Sequence, residues 1–196
     1  MFQVRIHGRG GQGVVTAAEM LSMAAFLDGS HAQAFPSFGS ERTGAPVISY
    51  CRIDSTEIRL REPIIEPDAV VVQDPTLLGQ VDVCSGLLPR GHVLINSERD
   101  PSDLPLNDQV RALPRGHCVT VPAAELAARH VGRPLPNAAL LGGFAALTGT
   151  VELPRVATAI RMTFSGRIGD GNVAAAEQAF RIVRNQLDKD RELSRA

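Results

Sequence analysis

The sequence contains few of the residues that most directly reveal a protein's chemistry. Among its 196 residues there is no tryptophan, only one tyrosine, and three cysteines. Single-stranded nucleic acids are bound by stacking bases on several aromatic side chains and by a strong positive charge, whereas the formal net charge here is −1. We therefore expect no nucleic-acid partner.

The three cysteines are also too scattered to form a metal site. Cys51, Cys84 and Cys118 are widely separated, and none belongs to a C-x-x-C pair. Zinc sites and iron–sulfur clusters gather closely spaced cysteines, and an odd number argues against a disulfide framework. The sequence thus predicts no metal site in this chain, and we interpret the cysteines as ordinary buried thiols.

Long apolar runs are missing too. None approaches the ~20 residues that a membrane-spanning helix needs, and the N-terminus starts with a strand pattern instead of a signal peptide. We expect a cytoplasmic protein that does not contact the membrane. The length suits one well-packed domain, which we assign to residues 1–188, followed by a charged C-terminal tail at 189–196.

Short apolar runs separated by helical patterns predict the fold class. Ala69–Val72, His92–Asn96 and Cys118–Val121 are typical of parallel strands buried on both faces, and the helical stretches between them suit crossover connections. We predict a single α/β domain whose mainly parallel sheet is flanked by helices and includes a β-hairpin element. The other predicted strands are 2–7, 31–35 and 47–53, with 57–60 as hairpin partner, and the predicted helices are 14–28, 123–130, 137–149, 154–164 and about 173–187.

A glycine-rich turn joins the first strand to the first helix. Gly8, Gly10 and Gly13 fit the spacing G-x-G-x-x-G, with Gly11 and Gln12 between them. Glycine lets the backbone turn tightly and lets an anion approach it, and the following helix directs free N–H groups and a positive dipole end at that anion. The turn is typical of a loop that binds a phosphate or pyrophosphate.

The residues around the turn limit the classes of ligand that it could bind. A nicotinamide site would have an acidic residue at the end of the second strand, where this chain has Phe35-Pro36-Ser37. Val14-Val15 stands where a Walker A loop has Lys-Ser/Thr. The glycines could also serve only close packing between helix and strand. Gln12 argues against that alternative, because an amide in a glycine turn is well placed to bond a ligand or a partner's backbone.

A second loop, at residues 36–46, is rich in glycine, proline and serine and carries Glu41 and Arg42. These two residues either form a surface ion pair or belong to a loop that lies over the glycine turn at the carboxyl edge of the sheet. In the second case Arg42 would offer a planar set of donors to a phosphate or carboxylate. His7 ends the first strand, where we interpret it as a packed histidine, and we predict no catalytic residue in the chain.

Two stretches together resemble a known family. Gly8 to Val14 with its alanine-rich helix, and then Ser37 to Ala45, are similar to the two signature loops of the gamma subunit of 2-oxoacid:ferredoxin oxidoreductases, the pyruvate/ketoisovalerate oxidoreductase gamma family. The resemblance covers nearly the whole chain. Weaker landmarks are Asp68 to Val72, Gly91 to Ser97, Asn137 with Leu141-Gly142, and Asn172.

The resemblance implies a role within a complex. Members of the family convert a 2-oxoacid and coenzyme A to acyl-CoA and CO2, and other subunits pass the electrons to ferredoxin or NAD. Thiamine diphosphate with magnesium and the iron–sulfur clusters belong to partner alpha, beta and ferredoxin-like delta subunits. The gamma chain is associated with coenzyme A binding and assembly. The residues that match for coenzyme A are Gly8, Gly10, Gly11, Gln12 and Gly13, with Glu41, Arg42 and Thr43 from the second loop.

Two alternatives remain at this stage. The chain could be a purely structural assembly subunit whose glycine turn contacts a neighbouring subunit and no ligand. It could also be a free-standing nucleotide-binding oxidoreductase, which would bind NAD or FAD on its own.

Overall fold

A six-stranded mixed sheet, in the order β2-β3-β1-β4-β5-β6, forms the centre of the computed structural model. The structure describes residues 1–37 and 44–193. β1, β4, β5 and β6 run parallel, while β3 is antiparallel to both β1 and β2. This confirms the predicted fold class. The strands are β1 (Phe2–Arg9), β2 (His31–Pro36), β3 (Pro46–Asp54), β4 (Ala69–Val72), β5 (His92–Asn96) and β6 (Cys118–Val121).

Helices cover the sheet and connect its parallel strands. They are α1 (Val14–Leu27), α2 (Asp108–Arg111), α3 (Ala123–Val131), α4 (Asn137–Thr148), α5 (Leu153–Thr163) and α6 (Gly166–Leu193), with short 3-10 turns at Pro75–Gly79 and Pro101–Asp103. Among residues 1–37 and 44–193, no helix is both long and apolar enough to cross a membrane.

The predicted hairpin partner at 57–60 is wrong. Both edges of β3 are already taken, one by β1 and the other by the preceding strand β2, so no edge is left for the segment that follows. That segment instead crosses the sheet without regular structure. Its backbone carbonyls at Leu60 and Glu62 accept hydrogen bonds of 3.3 and 2.6 Å from the buried guanidinium of Arg52.

The last helix is longer at both ends than predicted. Its apolar stripe, from Val173 to Leu187, is the part that packs on the core and the part that periodicity detects. The remaining turns are polar, so nothing in the apolar pattern marks where they start or stop. Residues 189–193, which the sequence assigned to the tail, continue α6.

The main core lies between one face of the sheet and helices α1, α4, α5 and α6. Val4 and Ile6 of β1 are fully buried in it, and side chains alternate along a strand, so Arg5, His7 and Arg9 project to the opposite face. α4 is buried around most of its surface. It approaches α6 so closely that a Cβ added at Gly142 would lie 1.9 Å from the carbonyl oxygen of Ala176.

Candidate functional site

The glycines of this turn meet two different requirements, a positive φ and the absence of a Cβ where another residue packs closely. Gly11 and Gly13 have φ values of +92° and +71°, in the left-handed region that favours glycine. Gly8 has an ordinary φ, but a Cβ there would lie 2.6 Å from a methyl group of Val14. At Gly13 a Cβ would lie 2.5 Å from Nδ2 of Asn137, at the start of α4. The turn is thus pressed between its own helix and a second one.

The amide of Gln12 braces this turn. Its Oε1 accepts a hydrogen bond of 2.8 Å from the backbone N–H of Arg9, and its Nε2 donates one of 3.0 Å to Oδ2 of Asp74. The Arg9 guanidinium donates to the same carboxylate oxygen at 3.0 Å. Gln12 therefore holds the turn against the end of β4, and its amide forms its hydrogen bonds within the protein.

Asp74 remains ionised beside this turn. Partial burial by itself would raise its pKa, but hydrogen bonds from Thr76 and Gln12 and the charge of Arg9 outweigh burial and lower the pKa. The carboxylate accepts bonds from both the backbone N–H and the hydroxyl of Thr76, at 3.0 and 2.6 Å. Arg9 and Asp74 thus form a neutral pair, which leaves no net negative charge next to the turn.

Gly44 and Ala45, at the end of the second loop, lie against the glycine turn. The N–H of Gly10 donates to the carbonyl of Ala45 at 2.9 Å, and the N–H of Gly44 donates to the carbonyl of Gly10 at 3.2 Å. β1 and β2 run in the same direction, so both loops lie at the carboxyl edge of the sheet. The candidate residues Glu41, Arg42 and Thr43 lie outside the described residues.

The start of α1 is open to an anion. Gly13 is its N-cap, no side chain of residues 1–37 or 44–193 caps it, and its first turn contains no acidic residue. The first N–H groups of a helix lack partners within the helix, and the positive end of its dipole lies there. Gly11, at the tip of the turn, is exposed. The exposed tip of the turn and the positive end of the helix dipole therefore lie at the same edge of the sheet.

Two polar residues beneath this edge, the partly buried Asn96 and the fully buried Gln73, were missed by sequence reasoning. Asn96 donates to the carbonyl of Gln73 at 2.9 Å and accepts from the N–H of Ala124 at 3.0 Å, which ties the ends of β4 and β5 to the start of α3. Gln73 is 1% exposed beneath Gly8, and its amide has no partner among the described residues. The available signal was their position: each polar residue ends or directly follows an apolar strand.

Burial keeps His7 and the three cysteine thiols neutral. His7 is 4% exposed, and burial, with a smaller effect from Arg5, lowers its pKa to about 3, so it is a very weak base. Burial raises the pKa of each of the three cysteine thiols to about 12. Within the described part of the chain, no cluster of three or more His, Cys, Asp or Glu is arranged to hold a metal ion.

Known proteins match this chain over nearly its full length. The family model described as pyruvate ferredoxin/flavodoxin oxidoreductase matches residues 3–182. The chain is 47% identical over 180 residues to the pyruvate/ketoisovalerate oxidoreductases common subunit gamma of Thermococcus kodakarensis, covering 92% of this chain and 96% of the relative. The crystal structure of pyruvate oxidoreductase subunit PORC from Thermotoga maritima superposes with a TM-score of 0.76 at 33% identity, covering 92% and 95% of the two chains.

A more distant structure shares the fold alone. The 2-oxoglutarate:ferredoxin oxidoreductase from Magnetococcus marinus, solved with 2-oxoglutarate, coenzyme A and succinyl-CoA bound, has a TM-score of 0.68 at 13% identity. The match covers 94% of this chain but 31% of that one, so the same fold forms one part of a longer polypeptide there. Together, the family match and the close relatives show that this chain belongs to the pyruvate ferredoxin/flavodoxin oxidoreductase family, in its gamma-subunit branch.

Proposed function

We propose that this chain is the gamma subunit of a thiamine-diphosphate-dependent 2-oxoacid oxidoreductase complex and that its glycine turn helps to bind the phosphates of coenzyme A. The complex would convert a 2-oxoacid and coenzyme A to acyl-CoA and CO2, with electrons leaving through other subunits to ferredoxin or NAD. The family supports the subunit role, and the Magnetococcus enzyme of the same fold carries coenzyme A and succinyl-CoA.

The open start of α1 is the observation that carries the coenzyme A assignment. An uncapped helix N-terminus without acidic residues, reached through a glycine turn, suits a diphosphate. The neutral Arg9–Asp74 pair does not repel an anion there. The Gln12 amide is occupied by the turn, so the proposed donors are the backbone N–H groups of Gly11 and Gly13 and the first turn of α1.

We propose that this chain binds and orients coenzyme A, while partner subunits carry the groups that react. His7 is too weak a base to move a proton at neutral pH, and the buried thiols stay protonated. Alpha, beta and ferredoxin-like delta subunits would supply thiamine diphosphate, magnesium and the iron–sulfur clusters. We place the complex in the cytoplasm.

The test is Gly11→Ala in the assembled complex. A Cβ at Gly11 would have no described residue within 4 Å, so the substitution collides with none of residues 1–37 and 44–193. It strains a residue at φ +92° by ~1 kcal/mol and reshapes the donors that face the ligand. We expect KM for coenzyme A to rise ~10-fold, equivalent to ~1.4 kcal/mol of binding, with thiamine diphosphate binding unchanged.

Gly29→Ala is the matched control. Gly29 lies just beyond the other end of α1, has a φ of +87°, and also has open space around its Cβ position. It should suffer the same strain without any change in KM. Equal KM values for the two variants would refute coenzyme A binding by the turn. Loss of subunit association in Gly11→Ala, with KM unchanged in the complex that still forms, would instead assign the turn to a subunit contact.

A further inference from the structure

A cavity of ≈ 410 Å³ lies at the amino edge of the sheet, beside the starts of β5 and β6. The glycine turn follows the end of β1, which runs parallel to these strands, so the turn and the cavity lie at opposite edges of the sheet. Leu147 of α4 and Leu187 of α6 contribute apolar lining to the cavity. Its volume falls within the range of small-ligand sites.

A pair of stacked histidines forms part of the cavity wall. The ring centroids of His92 and His117 lie 4.4 Å apart, and the ring planes are inclined by 9°. Burial, with a smaller effect from His117, lowers the pKa of His92 to about 4, so this ring is neutral at pH 7. Nδ1 of His117 donates to the carbonyl oxygen of Gly91 at 3.0 Å, which leaves Nε2 of His117 for another partner.

Two arginines line the cavity, and their ion pairs are loose. Nε of Arg115 lies 3.6 Å from Oδ1 of Asp190, which also lines the cavity, and Nη1 of Arg191 lies 3.5 Å from Oδ1 of Asp188. A normal N–H···O hydrogen bond is about 2.7–3.2 Å long. The two arginine side chains are 55% and 63% exposed, so water screens both pairs. Their N–H groups can therefore turn to an incoming carboxylate, which a guanidinium binds with two parallel hydrogen bonds.

We propose that this cavity binds a small carboxylate with a short apolar body, at a site separate from the glycine turn. Arg115 binds the carboxylate group, while Leu147 and Leu187 contact the apolar body. Inorganic phosphate would meet the same guanidinium groups but would leave the two leucines in contact with water. Because the cavity and the glycine turn lie at opposite edges of the sheet, the carboxylate and coenzyme A should bind without competing.

The first test compares three probes in NMR titrations of the full chain, labelled at its leucine methyl groups so that Leu147 and Leu187 report binding in the cavity. 3-Methylbutanoate should shift both sets of methyl signals saturably, with a Kd of ~1 mM. 3-Methylbutanamide has the same shape without the charge, and inorganic phosphate has charge without the apolar body, so each should bind at least ~10-fold more weakly. Equal affinity for either of these probes, no saturable shift with 3-methylbutanoate, or its displacement by coenzyme A would overturn the proposal.

The second test removes the guanidinium. Arg115→Gln should raise the Kd for 3-methylbutanoate ~10-fold. Arg155→Gln is the matched control, because Nε of Arg155 also lies 3.6 Å from an aspartate oxygen, Oδ1 of Asp28, and the side chain is 48% exposed on α5, away from the cavity. An equal Kd for the two variants would overturn the role of Arg115.

The third test narrows the cavity. Gly116 lines it, and a Cβ there would lie 3.2 Å from a methyl group of Leu187, so Gly116→Ala should raise the Kd for 3-methylbutanoate ~5-fold. Gly132→Ala is the control, because Gly132 has a φ of +81° against +79° at Gly116, and its Cβ position has no described residue within 4 Å. This control should suffer the same backbone strain and bind 3-methylbutanoate like the wild type. Wild-type affinity in Gly116→Ala would overturn binding in this cavity.

Discussion

Gly142 and Gly143 are neighbours in α4, and the structure predicts opposite effects when each is replaced by alanine. A Cβ at Gly142 would lie 1.9 Å from the carbonyl oxygen and 2.5 Å from the carbonyl carbon of Ala176, both backbone atoms of α6. A Cβ at Gly143 would meet only side-chain methyls of Leu94 and Val183, at 3.4 Å, which is ordinary contact. The pair thus separates a backbone collision from intrinsic helix propensity.

The magnitudes follow from these contacts. Non-bonded atoms prefer separations of about 3.5–4.0 Å, so Gly142→Ala would force α4 and α6 apart by more than ~1 Å. Overpacking costs ~1–3 kcal/mol or more, and replacing a helical glycine by alanine recovers ~1 kcal/mol. We expect a net loss of ~2 kcal/mol for Gly142→Ala. Gly143→Ala should be neutral or up to ~1 kcal/mol more stable.

Urea unfolding of the purified chain, followed by far-UV circular dichroism, measures both free energies of unfolding. For a chain of this length the Gly142→Ala loss corresponds to a Tm ~4–8 °C lower. Each variant is also a control for the other, because any shared effect of removing a helical glycine cancels in the difference between their free energies of unfolding. A Gly142→Ala protein as stable as the Gly143→Ala protein would refute the close packing of α4 on α6.

Two further predictions concern polar groups, the buried His7 and the partly buried Asn96. The pKa of His7 is about 3 in the folded protein and near 6.5 in the unfolded chain, so acid favours the protonated, unfolded state. The wild type should therefore lose ~2 kcal/mol of stability at this residue between pH 7.5 and 5, and His7→Leu should abolish that loss. An unchanged pH dependence in urea titrations at the two pH values would contradict this. Asn96→Ala leaves the Gln73 carbonyl and the Ala124 N–H without their partner and should lower the free energy of unfolding by ~2 kcal/mol. The control Asn185→Ala, at an exposed position on α6, should lower it by under ~0.5 kcal/mol. Equal losses in the two variants would contradict the hydrogen-bonded connection between β4, β5 and α3.

The parts of the fold that were predictable are those with a local cause. Ala69–Val72, His92–Asn96 and Cys118–Val121 were predicted to the residue, because a continuous run of mainly apolar residues marks a strand buried on both faces. The hairpin partner at 57–60 was predicted wrongly, because the local pattern does not show that β2 already occupies that edge of β3. The full length of α6 was missed, because its first and last turns lack the apolar stripe that runs from Val173 to Leu187.

In the candidate site, too, the features with a local cause were predictable and those that depend on distant parts of the chain were not. The glycine turn and the uncapped start of α1 follow from residues adjacent in sequence, and both were predictable. The contact of Asn137 with Gly13, and the hydrogen bonds of Asp74 to Gln12 and Arg9, join residues far apart in the chain. Such contacts exist only once the sheet places the ends of its strands together.

The four glycines between positions 8 and 13, three of which fit the spacing G-x-G-x-x-G, are therefore a mixed signal with separate physical causes. Gly8 is required because Val14 packs against it, and Gly13 because Asn137 does, so both would be needed in a protein that bound nothing. The N–H of Gly10 is occupied by the carbonyl of Ala45. Of the four glycines in this turn, Gly11 alone combines a positive φ, exposure and a Cβ position with no described residue within 4 Å. Packing does not explain this residue, and substitution at Gly11 therefore tests ligand binding where substitution at Gly8 or Gly13 would test the fold.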